Sequence, residues 1–206
     1  MFVSTLIDEG ECRIKKFMKR ILMAAVMSAL LSAAGVAQTA KIKSVYTDLS
    51  GKTCKKLKPD PEHGILYRAE CPGTGGYKLI FLEGDLRQSL NLIAPNGKES
   101  TLDLWSKITA PKYSFLGKTA EWRVVMNGKN QSVGALIVRF NAYEDPARSD
   151  KAESFLVVIK VAGQAACITD VVKPGKNQNL KAREFADVSA DKQCLGEGDY
   201  NYAVQE

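Results

Sequence analysis

From Gly76 onward, apolar runs of strand length alternate with tight-turn dipeptides, a pattern that predicts an antiparallel sheet built from hairpins. Tyr77 to Glu83 and Leu86 to Ala94 meet across Gly84-Asp85, a dipeptide suited to a type II′ turn. In the second run Leu86, Leu90 and Leu92 share one face while Arg87, Ser89 and Asn91 share the other, the alternation of a strand with one wet face. Asn96-Gly97 turns the chain into Glu99 to Leu104, where Leu102 and Leu104 again fall two apart.

After a segment around Trp105 and Tyr113 with room for one helical turn, Ala120 to Met126 places Trp122, Val124 and Met126 opposite Glu121 and Arg123. Asn127-Gly128 is the third hairpin signal and leads into Ala135 to Phe140, where Arg139 interrupts Leu136, Val138 and Phe140. Ser154 to Val161 and Ala166 to Val172 are β-branched runs, and Phe155 to Ile159 reads as buried on both faces. Between the two pairs of strands, Glu144 to Asp150 is a polar, exposed loop. Only Asn179 to Ala190 reads as a helix, beyond the strand-breaking Pro174-Gly175, with Leu180, Ala182, Phe185, Ala186 and Ser189 forming a partial apolar face. The fold class is mainly β, an antiparallel meander or sandwich of about seven to nine strands with one C-terminal helix.

The first 37 residues follow a different logic. Arg13, Lys15, Lys16, Lys19 and Arg20 lead into the apolar run Ile21 to Val36, which ends in small residues at Gly35-Val36-Ala37. This is the layout of a secretory signal peptide at 1–37, cleaved after Ala37, and the run is shorter than the ~20 residues of a membrane span. No cysteine follows the small residues to carry a lipid, so stable membrane insertion after cleavage is not expected. Asp8, Glu9 and Glu11 sit where a signal peptide avoids acids, which points to Met18 as the initiator. Residues 38–206 form one predicted domain of 169 residues, with a flexible acidic tail at 196–206. Losing five basic and three acidic residues lowers the net charge from +6 to +4.

Four of the five cysteines lie in the mature part: Cys54, Cys71, Cys167 and Cys194. An even number in an oxidising compartment reads as two disulfides. Of the three pairings, Cys54–Cys71 with Cys167–Cys194 is preferred, because each closes a short loop at opposite ends of the chain. The competing reading, a four-thiolate zinc site, lacks a C-x-x-C pair, and a thiol-disulfide oxidoreductase is disfavoured for the same reason.

Chemistry-bearing motifs are sparse. His63 is the sole histidine, which excludes mechanisms needing two imidazoles, and no G-x-S-x-G elbow offers it a serine. Cys71 to Gly76 has the glycines of a phosphate-cradling loop without the Gly-Lys-Ser/Thr ending. Glu83 and Asp85 flank a hairpin turn, which reads as a solvated tip rather than a glycosidase pair. No cofactor or metal is expected. The least ordinary feature is a lysine cluster, in which Lys41, Lys43, Lys52, Lys55, Lys56 and Lys58 face a single acid, Asp48. In an exported protein its partners are anionic envelope components or an acidic envelope protein, and not nucleic acid. Lys52, Lys55, Lys56 and Lys58, together with Arg87, Arg123 and Arg139 on the wet strand faces, are the candidate binding residues.

The motifs Cys71 to Tyr77, Glu83-Gly84-Asp85-Leu86-Arg87, Leu102-Asp103-Leu104-Trp105 and Ala120 to Val124 resemble those of small uncharacterised exported proteins of Gram-negative, especially alphaproteobacterial, genomes. The resemblance spans Cys54 to Cys194 and implies export to the periplasm, without implying an activity. The expected function is that of a non-enzymatic periplasmic binding or interaction module. The alternatives are an envelope hydrolase working through a carboxylate pair and a structural accessory of a larger assembly.

Overall fold

The computed structural model describes residues 41–196, so the predicted signal peptide, the Met18 start and all but the first residue of the predicted tail lie outside the described residues. Ten strands are present among the described residues: β1 (Lys41–Asp48), β2 (Lys55–Lys56), β3 (Tyr67–Pro72), β4 (Lys78–Gly84), β5 (Arg87–Ile93), β6 (Glu99–Thr101), β7 (Tyr113–Asn127), β8 (Asn130–Tyr143), β9 (Glu153–Ala162) and β10 (Ala165–Val172). One α-helix, α1 (Gln178–Asp187), follows. The mainly β, mostly antiparallel class with a C-terminal helix is as expected. The strand number exceeds the predicted range because β1, β2 and β3 lie in the lysine-rich and disulfide-bonded segments, whose patterns are masked by charge.

The strands are ordered β10-β9-β8-β7-β5-β4-β3-β2, with β1 added beside β7 and β6 beside β5. The long strand β7 makes this arrangement fold over. Near its start Ser114 bridges Arg87 of β5 in parallel, whereas Lys41–Asp48 pair with its later residues, from Met126 back to Thr119. Between these portions the pairing with β8 slips at Leu116 to Ala120. Gly117 sits in that slip, where a Cβ would come within 2.7 Å of the Arg139 Cβ, so the close approach requires glycine.

The inward faces meet in one core. Leu79, Leu90 and Leu92 from β4 and β5 pack in the same cluster as Trp122, Leu136, Phe140, Val157, Ile159 and Ile168 from β7 to β10. The buried indole of Trp122 keeps its donor satisfied, its Nε1 donating to Thr47 Oγ1 at 2.9 Å. A second, smaller cluster lies on the reverse face, where Ala135, Ile137, Leu156, Val158 and Val172 are covered by Ala182 and Ala186 of α1. Phe155 to Ile159 are thereby buried on both faces, as their apolar run predicts. Leu180, assigned to the apolar face of the helix, is 54% exposed; the contact surface is made of Ala182 and Ala186 with Phe185 packed beside them.

One turn differs from expectation. Gly84 pairs with Arg87, so the central residues of that hairpin are Asp85 and Leu86, both at positive φ, which makes a type I′ turn rather than II′. Leu86 therefore belongs to the turn and is exposed, while Leu90 and Leu92 are buried. The helical turn expected near Trp105 is present at Trp105–Thr109, closed by Ala110 N donating to Trp105 O at 2.9 Å. Both disulfides form in the preferred pairing, Cys54–Cys71 and Cys167–Cys194. They are compatible with an extracellular or periplasmic protein. No helix among the described residues is long and apolar enough to cross a membrane.

Candidate functional site: a cavity under the lysine segment

The end of β1 runs into a loop that is fixed from both sides. Leu49 N donates to Lys118 O at 2.8 Å, and Ser50 donates to Asp48 through its backbone N at 2.9 Å and its Oγ at 2.7 Å. Those Ser50 hydrogen bonds, with a smaller contribution from the Lys52 charge, hold the Asp48 carboxyl below the usual carboxylate range. The loop then reaches Cys54, whose bond to Cys71 ties it to β3.

Beneath this loop is a cavity of about 270 Å³, walled by Leu49, Ala69, Phe81, Tyr67, Glu83 and the Cys54–Cys71 bridge. Tyr67 and Phe81 meet edge to face, with ring centroids 6.0 Å apart. Glu83 is the one acid in the wall, and its Oε2 accepts from Gln88 Nε2 at 2.7 Å.

Strand register sorts the lysines around this cavity. Lys56 lies opposite Ala69 and Ala69 opposite Phe81, so alternation puts Lys56 on the cavity side. Its Nζ stands 5.8 Å from the centroid of the Tyr67 ring, a cation–π contact. Lys55 lies opposite Glu70 on the reverse side, where Lys78 Nζ already donates to Glu70 Oε1 at 2.9 Å. Lys52, Lys55, Lys56 and Lys58 are all exposed. Lys41 and Lys43 do not join them: they start β1, and at ~3.3 Å per residue Lys41 is about 23 Å from Asp48. The cluster seen along the chain is thus two groups in space.

The three arginines are not an open capture face. Arg123 is only 8% exposed, and its Nε and Nη2 donate to Asp187 Oδ1 and Oδ2 of α1, each at 2.7 Å. Its Nη1 donates to Ser44 Oγ at 2.5 Å, and Ser44 Oγ donates to Glu121 Oε1 at 2.6 Å. Arg183 of α1 completes this group, donating to Glu121 through Nε at 2.6 Å and Nη2 at 3.1 Å, and to Tyr46 OH at 3.1 Å. Burial pushes the Glu121 carboxyl up, but the hydrogen bonds from Arg183 and Ser44 and the charges of Arg183 and Arg123 outweigh it, leaving it below the usual range. The hydrogen bond to Glu121 in turn raises Arg183.

Arg139 is similarly engaged, donating to Ser154 Oγ at 2.6 Å and to Gln178 Oε1 and Asn179 Oδ1 at the start of α1. Arg87 stacks on Trp105 and Tyr113, with its Cζ 4.7 and 5.2 Å from the ring centroids, and pairs with Asp85. Alternation correctly puts Arg123 and Arg139 on the outward face, and the helix then covers that face. A four-charge network of this kind fixes the position of α1.

Other chemistry is scarce. His63 ends an exposed turn, Pro61–His63, with its Nδ1 2.9 Å from Asp60 Oδ2. A second cleft of about 360 Å³ contains Glu144 and Glu153, both of which approach Lys112 Nζ, at 3.4 and 3.3 Å. A glycosidase needs one carboxyl held protonated by an apolar setting. Both carboxylates here reach the same lysine, so the arrangement is ion pairing. No group of three or more His, Cys, Asp or Glu among the described residues is placed to hold a metal ion.

The cavity itself was not legible, because two of its walls come from strand ends, at Leu49 and Tyr67, that charge and Pro/Gly-rich flanks obscure. The signal that was present is the alternation in Lys41–Asp48, where Val45 and Thr47 turn inward while Ser44 and Tyr46 turn toward Glu121 and Arg183. No family model matches the chain, and no match to it is found among curated proteins or solved structures.

Proposed function

We propose that this chain is an exported, non-enzymatic binding module of the bacterial periplasm, and that it captures an anionic envelope partner through Lys52, Lys56 and Lys58. The carrying observation is the contrast in how cations are used. Arg87, Arg123 and Arg139 are engaged by internal partners, whereas Lys52, Lys56 and Lys58 are exposed, with no ion pair to another described residue. Exposed, unneutralised lysines gain about 1 kcal/mol each near an anionic surface. The two disulfides and the N-terminal sequence pattern support the compartment.

The test has two stages. Intact mass of protein from the periplasm of a Gram-negative host should match Gln38 to Glu206, with four thiols appearing only on reduction. Envelope extract passed over wild-type protein and over a K52E/K56E/K58E variant should then yield material that the variant does not retain. A full-length product with free thiols, or equal retention by both proteins, would refute the proposal.

A further inference from the structure

We infer that the cavity beneath the Cys54–Cys71 bridge holds a small single-chain amphipathic anion, with its apolar body against Leu49, Ala69 and Phe81 and its head group at Lys56 and Lys52. This rests on the reading of the lysine segment as a capture surface and assigns that surface a ligand class. Size comes first: an engineered cavity of about 150 Å³ accepts benzene, so by proportion 270 Å³ accommodates about ten carbons. About half of the wall surface is apolar, supplied by Leu49, Ala69 and Phe81, and burying a chain against it gains roughly 25 cal/mol per Å² of apolar surface removed from water.

Charge comes second. Lys56 is on the cavity side by register, and Lys52 lies in the loop between Gly51 and Cys54, which both line the cavity. The Gln88 and Ser50 hydrogen bonds leave Glu83 and Asp48 charged, but Asp48 is not part of the wall, so the two lysines at the mouth outnumber the one wall acid, Glu83. That excess of one positive charge beside the apolar residues of the wall matches an acyl or alkyl chain ending in a carboxylate or a phosphate. The disulfide and the Ser50 turn fix the wall before a ligand arrives, which limits the ordering cost of binding.

The test uses the mature, oxidised protein and four probes: decanoate, decyl phosphate, decanol and decylammonium, followed by titration calorimetry. At least one of the two anions should bind with 1:1 stoichiometry, about tenfold or more tighter than decanol, with decylammonium weakest. Which anion wins separates a free carboxylate from a phosphorylated source. K52Q/K56Q should weaken the anion by about tenfold while melting within about 2 °C of wild type, and S50W, which blocks the mouth and gives up the Ser50 Oγ–Asp48 hydrogen bond, should abolish binding while still folding.

Equal affinity for decanol, preference for decylammonium, or binding undisturbed by S50W would overturn the assignment. If S50W itself misfolds, an exposed G51W replacement at φ +89 is not a substitute; K52Q/K56Q with the four probes then decides the matter. Should no probe bind while lysine-dependent capture of envelope material persists, the cavity assignment falls and the binding module stands. Loss of both removes both.

Discussion

The two ends of β1 touch regions that handle charge in opposite ways. Beside its middle, Ser44 and Tyr46 join Glu121, Arg123, Arg183 and Asp187 in a hydrogen-bonded group where the cations hold a helix to a sheet. Beyond its end, Lys52, Lys56 and Lys58 are exposed, with Lys52 in the loop over a cavity and Lys56 on the cavity side of β2, and the loop's shape is set by Ser50 and by a disulfide. The first region spends its charges on internal geometry. The second leaves them available, and that difference, rather than any motif, separates scaffold from candidate site.

The largest effects that test this contrast come from the covalent ties. Replacing Cys167 and Cys194 by alanine opens a loop of 27 residues and should cost about 3 kcal/mol, while the same change at Cys54 and Cys71 opens 17 and should cost slightly less. Denaturant melts of the two double variants check the order; only the Cys54/Cys71 variant should lose ligand binding.

Next is Arg123→Met. Removing the guanidinium leaves Asp187 and Glu121 short of a partner, and a loss of about 2 to 3 kcal/mol is expected, below the full cost for a wholly buried pair because Asp187 is partly solvated. Capture by the lysine segment should be unchanged, and a parallel loss of capture would show that the two regions are coupled.

Acid probes the same lock. Glu121 is held below its usual range in the folded chain, so its contribution to stability is present above that range and is lost as pH falls through the lowered value. Below about pH 4 the amides of 182–186 should lose protection, corrected for intrinsic exchange, ahead of those of β8 and β9. Uniform loss across the molecule would contradict the lock. Smallest of all is Lys52→Gln or Lys55→Gln, expected to move stability by less than about 0.5 kcal/mol, since an exposed cation without an ion pair has little to lose.

Particular residues explain how far the sequence led. Asn96-Gly97 and Asn127-Gly128 marked hairpins because backbone at positive φ has few tenants, and Gly97 and Gly128 are found there. Both disulfides followed from parity and proximity along the chain. The docking face of α1 was legible, since Ala182, Phe185 and Ala186 pack on the sheet as their spacing predicts, but its landing over Arg123 and Arg139 was not, because their partners Asp187, Gln178 and Asn179 carry no periodic signal. The lysines were legible as a run but not as a site, since pairing partners decide which side of a strand each occupies: Lys56 shares a side with Phe81, and its neighbour Lys55 does not.

The two termini of the main strand order are finished in different ways. One terminus of the strand order is β2, only two residues long and both of them lysine; the other is β10, along which the chain returns so that Leu195 N donates to Ile168 O at 2.8 Å. Unsatisfied strand borders template the addition of neighbouring chains; β2 is short and cationic, the returning chain meets β10 at Ile168, and β1 and β6 are further borders, each paired with one strand. Cys194, immediately before Leu195, holds the returning chain in place through Cys167. Oxidation at this pair thereby fixes the segment that shields the Ile168 end of β10.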